Sequence, residues 1–62
     1  MDKFLKIGNK AIKCEAIEGI TLYMNEVIVH TTHNGYTVYY ANQDKAEEAY
    51  QEALERVEML LS

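Results

Sequence analysis

The chain contains no proline, no tryptophan, one cysteine and three glycines. A lone cysteine excludes an intramolecular disulfide and a four-cysteine zinc site. Without proline or glycine-rich stretches there is no linker or low-complexity segment to separate domains. No apolar run approaches the ~18 residues of a membrane span. The opening Met1-Asp2-Lys3-Phe4 lacks the apolar core of an export signal. The expectation is a single soluble, cytosolic domain over residues 1–62 that makes no contact with a membrane. Basic residues are scarce as well: 6 Lys and Arg stand against 10 Asp and Glu, for a formal net charge of −4. That balance disfavours direct capture of nucleic acid through its phosphates.

What is present fits a small folded protein. A domain of 62 residues buries only about 60% of the surface its unfolded chain exposes. This rules out a doubly wound nucleotide-binding fold and a large enclosed active site. At 48% hydrophobic and 26% charged, the composition is too apolar for disorder. Stability without a staple must come from a well-patterned core, self-association or folding on a partner.

The negative charge is concentrated. In residues 1–43, Lys3, Lys6, Lys10 and Lys13 cancel Asp2, Glu15, Glu18 and Glu26. From residue 44 onward, Asp44, Glu47, Glu48, Glu52, Glu55 and Glu58 outnumber Lys45 and Arg56, and the whole excess lies there. The same segment carries Ala46, Ala49, Tyr50, Ala53, Leu54, Val57, Leu60 and Leu61 at spacings of three and four, the stripe of an amphipathic helix. Asn42 or Asp44 is the expected cap.

Residues 3–41 read as strands separated by short turns. His33-Asn34-Gly35-Tyr36 holds an Asn-Gly pair suited to a type I′ hairpin, which would pair His30 with Tyr39 and Val29 with Tyr40. Ile7-Gly8-Asn9-Lys10 predicts a hairpin with Leu5 opposite Ile12. A third turn is expected at Asn25-Glu26, with Leu22 opposite Val29, and residues 15–19 are expected to bend or bulge. The predicted fold is α+β: an antiparallel β-meander of four to five strands with one C-terminal α-helix packed on one face.

Alternation divides the strands into two faces. Leu5, Ile7, Ile12, Cys14, Ile20, Leu22, Val27, Val29, Thr31, Val38 and Tyr40 form the expected seat for the helix. Phe4, Lys6, Lys13, Thr21, Tyr23, Ile28, His30, Thr32, Thr37 and Tyr39 point away from it. Tyr23, His30 and Tyr39 are expected to lie side by side, flanked by Ile28 and Thr37. Such a row serves either as cross-strand stabilisation or as a protein interface, since tyrosine joins a rigid apolar body to a polar tip. Glu48, Glu52 and Glu55 form an acidic helix face, which is a solvated surface or an imitation of a nucleic-acid backbone.

Chemistry is poorly supported. His30 and His33 lack a cluster to complete a metal site, and Cys14 is expected on the helix-covered face, away from His30. No phosphate loop or nucleophile elbow is present. The expectation is a protein that is not an enzyme and carries no cofactor and no metal.

Phe4-Leu5-Lys6-Ile7-Gly8-Asn9-Lys10, Val27-Ile28-Val29-His30 and Gly35-Tyr36-Thr37-Val38-Tyr39-Tyr40, followed by an Ala- and Glu-rich helix, resemble the small meander-plus-helix proteins of phage and prophage genomes. Some phage-encoded proteins of this size and acidity are inhibitors of host defence, anti-CRISPR proteins among them. The resemblance implies a binder that blocks a host protein by steric occlusion. Two alternatives stand beside it. One is a homodimer or larger homo-oligomer that buries the aromatic sheet face against its own copy. The other is the acidic mimic. Were His30 buried between the tyrosines of an interface, protonation below about pH 6.5 would weaken assembly.

Overall fold

A computed structural model describes residues 3–61, with side chains as far as residue 60. Asn42 fixes where the helix begins. Its Oδ1 accepts the Lys45 amide at 2.9 Å and its carbonyl accepts the Ala46 amide at 3.2 Å, an N-cap arrangement. Asp44 lies in the first turn of the helix α1 (Gln43–Leu61), where its charge suits the dipole. Near the other end, Lys3 Nζ donates to the Leu60 carbonyl at 2.6 Å. Ala46 and Ala53 are the most buried positions of the stripe, at 0% and 3% exposure. Their small side chains let the helix backbone approach the sheet, while Ala49, Tyr50, Val57 and Leu60 pack around them. The side chain of Leu61, also expected in this stripe, lies outside the described residues. Asn42→Ala is expected to cost about 1 kcal/mol, read as a lowered midpoint in thermal melting.

The strands are β1 (Phe4–Ile7), β2 (Lys10–Lys13), β3 (Ile17–Tyr23), β4 (Glu26–Thr31) and β5 (Gly35–Tyr39), with a 3-10 turn at Cys14–Ala16. All pair antiparallel, in two sheets: β1–β2, and β3–β4–β5 with β4 central. The fold is thus α+β with one C-terminal helix, but the meander is divided in two. The division falls at the 3-10 turn, where Cys14 drops into the core at 1% exposure. The β1–β2 hairpin has the expected register, with Leu5 opposite Ile12 and a turn at Gly8-Asn9. Gly8 has φ +60° and lies against the inner face of β5: a Cβ there would stand 2.8 Å from Val38 Cγ1.

Two turns differ from expectation. The β4–β5 turn is Thr32-His33, two residues before Asn34-Gly35, so Val29 pairs with Tyr36 and His30 with Gly35. Thr31 closes it: its amide and hydroxyl donate to the Asn34 carbonyl at 2.8 and 2.6 Å, and its hydroxyl accepts the Asn34 amide at 3.0 Å. The β3–β4 turn is Met24-Asn25, with Met24 at φ 53°, so Leu22 pairs with Val27 and Ile20 with Val29. Asn25 binds the end of β5 here, accepting the Tyr40 amide through its carbonyl and donating from Nδ2 to the Tyr40 carbonyl, both at 2.9 Å. Packing outweighs turn propensity: the observed registers align Ile20–Val29–Tyr36 and Leu22–Val27–Val38 in apolar rows across three strands. The Asn-Gly register would have left Val27 opposite Asn42, beyond the end of the strand.

The slips are of four and two residues, both even, so the division into faces is preserved. The buried core is Leu5, Ile7, Ile12 and Cys14 from the hairpin segment, Val27 and Val29 from β4, and Ala46 and Ala53 from α1. Ile20, Leu22, Val38 and Tyr40 pack against it as expected, and Tyr36 joins them. The bulge expected within residues 15–19 falls between Ile17 and Gly19. Burial, and secondarily the Glu52 carboxylate, hold the Tyr40 phenol above its usual value of 10.0. The fold therefore favours the neutral phenol, a contribution present below about pH 10 and lost at higher pH.

Candidate protein-contact face

The outer face of β3–β4–β5 has no helix across it, because α1 packs on the inner side. Three rows cross it. Tyr23 and Tyr39 flank Glu26 in one, Thr21 and Thr37 flank Ile28 in the next, and Gly19 and Gly35 flank His30 in the third. Neighbouring strands lie about 4.8 Å apart, so each row is a set of touching cross-strand positions. Tyr23 is 54% exposed and Tyr39 70%, with Met24 at 64% in the adjoining turn. Ile28 is half-buried between its threonines.

The expected Tyr23–His30–Tyr39 row is therefore corrected. All three side chains share the outer face, but Glu26 occupies the place between the tyrosines. His30 lies four residues away along β4, about 13 Å. The cause is the register: sliding β5 by four residues moves Tyr39 from His30 to Glu26. The His30 ring leans towards β3, with Nε2 2.9 Å from Thr21 Oγ1 and Cδ2 close above Gly19. A pH response that needed His30 between the two tyrosines loses its premise.

The remaining candidates are dispersed. Cys14 is buried in the core while His30 is exposed on the opposite side of the sheet, so the two form no dyad. His33 lies in the β4–β5 turn, apart from His30, and no group of three or more metal-ligating side chains assembles among the described residues. Glu48, Glu52 and Glu55 are exposed along α1 with Asp44, Glu47 and Gln51. Glu52 is ion-paired with Arg56 at 2.8 Å, both side chains more than half exposed, which is an ordinary solvated i,i+4 pair. No described helix is long and apolar enough to cross a membrane.

Two features escaped sequence reasoning. Glu26 gains its position between Tyr23 and Tyr39 only through the true registers. A shallow groove lined by Phe4, Lys6, Arg56, Met59 and Leu60 runs between β1 and the end of α1. Its signal in the sequence was Phe4 among the outward residues, but nothing local showed which helix residues would face it. Comparison with protein-family models, curated proteins and solved structures finds no match for this chain.

Proposed function

We propose that this chain is a protein-binding module without chemistry of its own, docking through the outer face of β3–β4–β5 and blocking its partner sterically. The Tyr23–Glu26–Tyr39 row carries the reading. Two exposed tyrosines beside a carboxylate make a seat for a basic side chain, whose cation is attracted by ring faces and by the carboxylate. Ile28 and Met24 supply apolar contact around it. The partner is accordingly a protein presenting Lys or Arg within an apolar patch, and the net charge of −4 steers its approach. Resemblance to phage-type meander proteins supports a host protein as the target.

The test is affinity capture from extracts of the source cells, comparing wild type with Tyr23→Ala/Tyr39→Ala and with Glu52→Lys/Glu55→Lys. Removing both rings is expected to weaken binding about 100-fold or more, as for interface anchors, while the exposed positions leave the fold intact. The helix variant is expected to retain the partner. Retention by the tyrosine variant and loss by the helix variant would move the contact to the acidic face.

A further inference from the structure

The two edges of the three-stranded sheet are not alike. An open edge invites strand pairing unless a bulge, a charge or a proline spoils it. On β3, the register shift between Ile17 and Gly19 and the acidic Glu18 within it shorten the continuous edge to Gly19–Tyr23, and the His30 ring already stands beside Gly19. On β5, Gly35-Tyr36-Thr37-Val38-Tyr39 has no charge, no proline and an unbroken register with β4. Its backbone directions follow from the ladder. Asn25 bonds to Tyr40 and Thr31 to Asn34, so Tyr36 and Val38 turn their amides and carbonyls towards β4. Alternation turns those of Gly35, Thr37 and Tyr39 outward.

We propose that this edge pairs with β5 of a second copy, antiparallel about a two-fold axis at Thr37, joining two three-stranded sheets into one of six strands. In that register Thr37 faces its own counterpart, Gly35 faces Tyr39 of the other copy, and every outward amide meets an outward carbonyl. The side chains fit the same arrangement. A Cβ built on Gly35 meets nothing within 4 Å, and the His30 ring is drawn to the β3 side by its hydrogen bond with Thr21. The 70%-exposed Tyr39 of the other copy therefore lies across bare backbone, the aromatic-over-glycine pairing that protects glycines in sheets. Neither strand places like charges opposite each other. Because the axis is perpendicular to the sheet, both outer faces remain on one side. The backbone pairing stands apart from what the outer face binds, although Tyr39 serves both.

A five-residue strand contact is smaller than a standard interface, so association belongs to the micromolar-to-millimolar range. Sedimentation over that range, with amide hydrogen exchange by NMR at both ends of it, tests the pairing. A monomer–dimer equilibrium is expected, in which the Gly35, Thr37 and Tyr39 amides gain protection as concentration rises while Tyr36 and Val38 are protected throughout. Thr37→Pro removes an outward donor from each copy, without touching a β4 bond, and is expected to weaken dimerisation about tenfold or more. Tyr39→Ala is expected to weaken it in the same direction with the monomer fold unchanged. A monomer at millimolar concentration would overturn the proposal. So would a dimer whose Gly35, Thr37 and Tyr39 amides exchange freely, the pattern of two sheets stacked face to face.

Discussion

Leu5→Ala is expected to cost about 3–4 kcal/mol. Leu5 is 1% exposed and belongs to the hairpin rather than to the three-stranded sheet. Deleting three of its carbons removes transfer free energy and leaves a cavity that a close-packed core refills only in part. A chain of 62 residues has about 3–9 kcal/mol of stability in total, so this one truncation consumes a large share. Phe4, next in sequence but 46% exposed on the other face, provides the control. Phe4→Ala is expected to cost well under half as much. Urea melts of the two variants check the assignment, and equal losses would mean that the hairpin does not share the helix-covered core.

Gly8→Ala is expected to cost about 2–4 kcal/mol through two separable causes. The left-handed φ of +60° penalises any side chain by roughly 1–2 kcal/mol. The added methyl also meets Val38 Cγ1 at 2.8 Å and Cγ2 at 3.4 Å, forcing hairpin and sheet apart. Val38→Ala deletes both of those atoms and leaves Cβ at 3.7 Å, an ordinary contact. Made in that background, Gly8→Ala is expected to retain only the backbone penalty. A double-mutant cycle by denaturant melting should give a coupling of about 1–2 kcal/mol. Zero coupling would mean that the hairpin turn does not rest on β5.

The fold was legible because burial patterns tolerate errors in register. Alternation of Leu5 and Ile7, of Val27 and Val29, and the three-four spacing from Ala46 to Leu60 each specify a face independently of the turns. The site was less legible because neighbourhood across strands depends on the register itself. Asn34-Gly35 has the stronger intrinsic turn preference. Yet Thr31 captures Asn34 and sets the turn two residues earlier, and Val27 finds Val38 only in that pairing. Alternation marks Tyr23 and Tyr39 as outward aromatics, but their true neighbour is Glu26 rather than His30. The separation of the hairpin from the main sheet was hidden for a related reason: Cys14-Glu15-Ala16 has no breaker residue, and its 3-10 turn is imposed by burial of Cys14.

The outer sheet face is the centre of the functional reading, and site-specific photo-crosslinking probes it most directly. A photoreactive side chain replaces Tyr39 in one variant and Gln51, on the acidic surface of α1, in another. Each is irradiated in extract from the source cells. A product heavier than twice the chain's mass is expected from position 39, abolished by adding Tyr23→Ala, with none from position 51. A product at twice the chain's mass reports self-pairing at β5 and is scored separately. Capture of the heavier product from position 51 alone would contradict docking through the tyrosine row.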